Sequence, residues 1–176
     1  GTQHKFLFDL LQRESQSGFG QDHGFSSINS VAEFRRRVPI TRYEYFEPYI
    51  ERVKSGETQA LFHRDRVVMF AMTSGTTNIR KFIPVTNRYA KSYRRAWQVW
   101  GVSAFRTRSE IFTDAKLVLA SGHDEFRVGP GIPCGSISGY SASSQSLFIR
   151  RNYVLPHQAA HIQETESKHY LSWRLG

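Results

Sequence analysis

The chain has 176 residues, 39% of them hydrophobic and 22% charged. That balance belongs to one globular domain with its own core and excludes a disordered segment. No apolar run approaches the ~20 residues of a membrane helix, and no signal peptide opens the sequence. The single cysteine, Cys134, has no internal disulfide partner, which points to a reducing compartment, the cytoplasm. A formal charge of +9 fits an anionic partner (nucleotide, nucleic acid or acidic surface) or a remainder of the protein that balances it. The basic residues are scattered through "FRRRV", "SYRRAW" and "FIRRNY", a distribution that disfavours nucleic acid. The chain opens on Gly1 and stops inside a predicted helix, so a fragment of a longer protein is expected.

The first predicted element is a helix over "TQHKFLFDLLQRE", where Phe6 and Leu10 share one face and Leu7 and Leu11 another. The glycines of "SGFGQDHGF" then read as a loop. "SVAEFRRRV" is a helix opened by Ser30 with Glu33 three residues on, a capping box, and Pro39 ends it. Val31, Phe34 and Val38 fall on its apolar face. Thr41 and Glu44 repeat the capping pattern before a short helix through "EPYIERVKSGE", with Pro48 in its first turn and Gly56 as its stop. From Arg66 to Met72 the pattern changes to a buried strand, and "FIPVT" is extended because Ile83 precedes Pro84. Thr86 caps the longest predicted helix, "NRYAKSYRRAWQVWGVSAF", on which Tyr89, Tyr93, Ala96, Trp97, Trp100 and Ala104 line one face; core packing is the expected role of that face. "AKLVLASG" reads as a strand, "HDEFRVGPGIPCGSISGYSASSQ" as a long irregular stretch, "SLFIRRNYVLP" as holding a short strand, and "ETESKHYLSWRL" as a helix. Helices followed by a strand–loop–helix unit give an α/β fold class, helices packed around a mixed sheet.

"TSGTTNIRK", residues 73–81, is the stretch with chemistry in it. A phosphate chain needs backbone N–H groups, hydroxyl donors and a cation. Thr73, Ser74, Thr76 and Thr77 supply hydroxyls, and Gly75 lets the backbone turn and approach closely. Asn78 tolerates a positive φ, and Lys81 brings a mobile charge. Ile79 and Arg80 precede Lys81 and Phe82 follows it, so this is not the glycine–lysine–serine/threonine loop of the P-loop hydrolases.

"TSGTTNIRKFIPVT" resembles the phosphate-binding signature of adenylate-forming enzymes. Together with "FGQDHGF", "FRRRVPITRYEYFEPYIERVKSGE" and "FAMTSGTT", it resembles the GH3 family of acyl-acid amido synthetases over nearly the whole chain. "GIPCGSISGY" and "RRNYVLP" look more like bacterial than plant members. The resemblance implies the N-terminal part of the large domain of an adenylate-forming enzyme, with a helical lead-in over about 1–57 and a nucleotide-binding part over about 58–176. It implies a two-step reaction: a carboxylic acid attacks ATP to give an acyl-adenylate, and an amino acid amine then displaces AMP. ATP, Mg2+, an acyl acid, an amino acid and the remainder of its own chain are therefore the expected partners. An acyl-CoA or acyl-protein ligase, or a basic nucleic-acid-binding module, are the alternatives. Two positions depart from the family pattern: Asn78 stands where glycine is usual and Arg80 where proline is common.

Elsewhere, His23 reads as a cap or surface residue, and His123 with Asp124 and Glu125 as a solvated turn, since no further His or Cys stands at metal-ligand spacing. Cys134 reads as a small buried residue. The small residues of "GIPCGSISGY" either leave room for the acyl acid or form a structural loop.

Overall fold

The computed structural model describes residues 1–73, 80–118, 120–155, 159, 162 and 164–175. The first helices are α1 (Thr2–Glu14), α2 (Gly18–Asp22) and α3 (Val31–Arg37). Their small core is Leu11, Phe25 and Ile28, packed by Leu7, Phe8, Phe19, Phe34 and Val38. The buried stripe of α1 is thus the Leu7–Leu11 one, while Phe6 faces solvent. Ser30 caps α3 as its sequence predicts, accepting from the Glu33 N–H at 3.1 Å, while the Glu33 carboxylate accepts from the Asn29 N–H at 2.7 Å. The glycine-rich stretch before it is not a loop. Ser17 caps α2 through its hydroxyl, which accepts from the Gly20 N–H. Gly20 is needed for approach, since a Cβ there would lie 2.0 Å from the Glu14 carbonyl oxygen.

Helix α4 (Tyr43–Lys54) begins beside the expected Thr41 cap, but its N-cap position is Arg42 and no side chain caps it. Pro48 therefore lies inside the helix and not in its first turn. Phe19 joins the two helical groups. Its ring stacks on Phe46 at 5.5 Å and meets Tyr49 edge-on at 5.3 Å. The buried Glu14 carboxylate adds a second tie, accepting from the His63 N–H at 2.8 Å and from Arg13 at 2.6 Å.

Strands β1 (Val67–Thr73), β2 (Lys81–Thr86), β3 (Phe126–Val128) and β4 (Ile132–Gly135) form one sheet in the order β2-β1-β4-β3. β1 is antiparallel to β2 and parallel to β4, and β3 and β4 make an antiparallel hairpin. One face packs on α4: Ile50, Val53, Val67, Phe70 and Cys134 are buried together, with Met72 and Phe82 against them. The opposite face, Met69, Ala71 and Val85, meets α5 (Asn87–Thr107) and α6 (Ile137–Ser143) through Ala90, Ile137 and Tyr140. The register shifts between Val67 and Met69. Such an extra residue reverses the alternation of faces, which is why Val67 sides with Phe70 while Val68 sides with Met69.

Several expectations change downstream. The irregular stretch from His123 holds β3, β4 and α6; its turn uses Gly129 and Gly131 at φ 48° and 94°. Among the described residues of 115–122, the expected strand reduces to an isolated parallel bridge between Lys116 and Tyr153. In place of a short strand, Ser146 caps the helical turn α7 (Leu147–Arg150). The final helix is present as α8 (Thr165–Leu175). Along α5 the Thr86 cap forms, its hydroxyl accepting from the Tyr89 N–H at 3.1 Å. The aromatic stripe is another matter: Trp97 and Trp100 are 46% and 58% exposed in this chain. Ala90 packs against the sheet, and Gly101 is the buried residue of α5.

Candidate nucleotide-binding site

β1 is apolar and β-branched up to Met72, then turns polar at Thr73, its exposed last residue. Thr73 pairs with Lys81, the first residue of β2. β1 and β2 are therefore consecutive antiparallel strands whose paired ends are Thr73 and Lys81. β1 and β4 run parallel through Phe70–Cys134 and Ala71–Gly135, so their carboxyl ends lie side by side, one opening on the loop and the other on α6. Carboxyl ends of parallel strands are the usual place for ligands in α/β sheets. Of the predicted residues, the structure places Thr73 and Lys81 directly across from each other. Ser74, Gly75, Thr76, Thr77 and Asn78 lie outside the described residues.

The return strand is held firmly. Pro84 is tolerated because β2 lies at the sheet edge. Tyr43, from the start of α4, places its hydroxyl against the backbone of Phe82. The Phe82 N–H donates to it at 2.9 Å, and it donates to the Phe82 carbonyl at 3.3 Å. Burial raises the Tyr43 phenol above its ordinary range. The Lys54 ammonium sits 4.2 Å above the Phe82 ring, and the Lys81 ammonium lies 5.4 Å from the centre of the Tyr43 ring. No sequence pattern announces Tyr43 or Lys54 as neighbours of the loop, because both approach through tertiary packing of α4 on β2.

A second feature is a shallow groove between α5 and α6, lined by Tyr93, Arg94 and Trp97 on one side and Ile137, Tyr140 and Ser141 on the other. The Ser141 hydroxyl is buried there without a hydrogen-bond partner among the described residues. The glycines beside it, by contrast, are filled by the protein itself. A Cβ at Gly135 would meet the Gly122 carbonyl oxygen at 2.6 Å, and one at Gly139 the Ser121 carbonyl oxygen at 2.0 Å. The small residues of "GIPCGSISGY" thus accommodate backbone 121–123.

The remaining candidates are structural. His23 is buried, stacked on Phe19 at 4.0 Å, with Nδ1 2.8 Å from the Phe19 carbonyl and Nε2 2.7 Å from the Tyr45 hydroxyl. Its place at the C-cap of α2 fits the cap reading, and its burial rules out a surface role. Asp124 pairs with Arg127, and the Glu125 N–H donates to the Cys134 carbonyl at 2.8 Å. Cys134 is fully buried, and that burial pushes its thiol pKa up. Among the described residues, no group of three or more His, Cys, Asp or Glu is placed to hold a metal ion. No helix of the described residues is long and apolar enough to cross a membrane.

The fold is an α/β domain in which the polar stretch of sequence after Thr73 follows the carboxyl end of β1, a strand that runs parallel to β4. The chain belongs to the GH3 family: the family's N-terminal domain profile matches residues 1–176. Among similar proteins, a jasmonoyl–L-amino acid synthetase, JAR4 of Nicotiana attenuata, is 24% identical over 76% of this chain and 23% of its own length. Another, GH3.3 of Oryza sativa subsp. japonica, is 31% identical over 61% of this chain and 23% of its own length. The indole-3-acetic acid-amido synthetase GH3.10 of Arabidopsis thaliana is 26% identical over 65% of this chain and 20% of its own length. In structure, the chain is similar to the GH3.15 acyl acid amido synthetase, with a TM-score of 0.77 at 19% identity over 97% of this chain and 30% of that one. That likeness shows the fold. The chain spans about a quarter of the length of these relatives. They are plant proteins where an organism is given, which leaves the bacterial-like wording of the sequence without support from them.

Proposed function

We propose that this chain is the phosphate-binding part of an ATP-dependent acyl-acid amido synthetase, which activates a carboxylic acid as its adenylate and transfers the acyl group to an amino acid. The observation that carries the reading is the hairpin. Thr73 and Lys81 stand opposite each other and bracket a loop of hydroxyls and Gly75 at the carboxyl end of the parallel strands. Thr73, Ser74, Gly75, Thr76, Thr77, Asn78 and Lys81 are the residues assigned to the phosphates. Charge builds on phosphate oxygens as the carboxylate attacks, and preorganised donors with a cation stabilise that charge. Magnesium bound with ATP would add to this neutralisation, and the described residues offer it no cluster of ligands.

The named relatives are amido synthetases for jasmonate and indole-3-acetate, which supports an acyl acid as the second substrate. In this reading residues 1–57 are a helical support and 58–176 one wall of the nucleotide site, within a cytoplasmic enzyme. The remainder of the polypeptide completes the site, so the isolated piece forms no amide. The test is product analysis. The full-length polypeptide is incubated with ATP, magnesium, jasmonate or indole-3-acetate, and a panel of amino acids. AMP and an amide conjugate are the expected products. An acyl-CoA thioester formed only when coenzyme A is added would establish the acyl-CoA ligase alternative instead.

A further inference from the structure

We propose that Tyr43 is a positioning residue for Lys81: its hydroxyl locks the backbone of Phe82 while its ring underlies the Lys81 ammonium, fixing that charge at the mouth of the loop. The proposal rests on the loop's role in phosphate binding. Strand β2 is a sheet edge, and an edge strand leaves alternate N–H and C=O groups pointing outward. At Phe82 both groups are taken by one hydroxyl, which accepts at 2.9 Å and donates at 3.3 Å. A phenol is protonated at neutral pH, so the hydroxyl can accept and donate at once. The Phe82 ring is gripped as well, by Lys54 at 4.2 Å and edge-on by Phe70 and Phe126, each at 6.2 Å. Tyr43 itself is the first residue of α4, whose Ile50 and Val53 are buried on the sheet. The backbone at residue 82 is therefore tied to the core, and Lys81 is the next residue back.

A lysine is a point charge on a flexible stem. With the ammonium 5.4 Å from the Tyr43 ring centre, the ring's negative face narrows its range. Among the described residues Lys81 has no carboxylate partner, so its charge stays available to an anion. Placement matters because a misplaced charged group loses much of its effect within about 1 Å.

The test is MgATP binding to the full-length polypeptide by titration calorimetry, with urea unfolding run on each variant. Lys81→Ala weakens binding. Tyr43→Phe, which keeps the ring and loses both hydrogen bonds, raises the MgATP Kd about tenfold. Made in the Lys81→Ala background, the same substitution changes the Kd less than about twofold. Equal losses in both backgrounds would show a general structural role and overturn the proposal. So would an unchanged Kd for Tyr43→Phe beside a weakened Lys81→Ala, an outcome that leaves the loop reading standing. If Lys81→Ala itself binds normally, the loop reading fails and the proposal with it. Should Tyr43→Phe not fold, Tyr43→His takes its place with the same readouts. Failure of both to fold assigns the residue to folding alone and overturns the proposal.

Discussion

Replacing Gly139 by alanine tests how α6 is seated. Gly139 is the third residue of α6, a helix of seven residues, and is buried. Alanine is the better helix former by about 1 kcal/mol, so helix propensity alone predicts a gain. Packing predicts the opposite. The new methyl would stand 2.0 Å from the Ser121 carbonyl oxygen and 3.1 Å from both the Gly122 carbonyl carbon and the His123 nitrogen. All three are backbone atoms, so no side-chain rotation relieves the contact, and segment 121–123 must retreat by about 1 Å or more to restore contact distance. That segment is itself tied down, since the Gly122 carbonyl accepts from the Ser136 N–H at 2.8 Å. Overpacking of this kind costs about 1–3 kcal/mol, more where the backbone is pinned. With the backbone pinned the upper part of that range applies, about 2–3 kcal/mol, so the net expectation after the gain in propensity is a loss of about 1–2 kcal/mol in urea unfolding followed by circular dichroism. A neutral or stabilising Gly139→Ala would refute the seating of α6 on 121–123 and reopen that space for a ligand.

Other outcomes follow from single residues. Cys134 is fully buried with its thiol pKa raised, so it should resist a disulfide reagent at pH 8 in the folded protein and react fully in urea; fast labelling of the native state would contradict its place in β4. Burial, and then its hydrogen bond to Asp22, push the Tyr49 phenol from 10.0 up to about 12. The unfolded chain then ionises first, so the stability linked to Tyr49 is present below pH 10 and lost as pH rises toward 12. Tyr49→Phe should decline less over that window, and identical pH profiles would refute the coupling. At the loop, Asn78→Gly should preserve the ATP dependence of the full-length enzyme and Asn78→Val should damage it, because a β-branched residue resists positive φ; equal behaviour of the two variants would remove the left-handed assignment.

Much of the framework is legible in the residues, where caps and period agree. Ser30 and Thr86 each make the hydrogen bond their sequence context predicts, and the apolar run through Met72 is β1. What escapes is set by packing across the chain. The glycines near Gly20 read as a loop because propensity counts their flexibility, whereas the close approach to Glu14 needs their lack of a side chain. Strands β3 and β4 are too short to show alternation, and the glycines and Pro133 around them read as irregular chain. The apolar run after Lys116 looks like a strand, yet its carboxyl end is used as a backbone support beneath α6. On α5 the period identifies one face correctly as aromatic but says nothing of what covers it, and Trp97 and Trp100 are exposed in this chain. At the site, the composition of 73–81 announces phosphate chemistry, whereas Tyr43 reaches Phe82 across 39 positions of sequence.

Acid-dependent exchange of pyrophosphate into ATP by the full-length polypeptide is the most direct measurement of the central claim, because it reads the adenylation step alone. With jasmonate or indole-3-acetate as the acid, exchange should require both acid and magnesium. Lys81→Ala and Thr76→Ala should each lower it about 10²–10³-fold, the effect of losing one preorganised contact worth roughly 3–4 kcal/mol to the transition state. Exchange at the full rate in both variants would contradict the assignment of loop 73–81 to the phosphates of ATP.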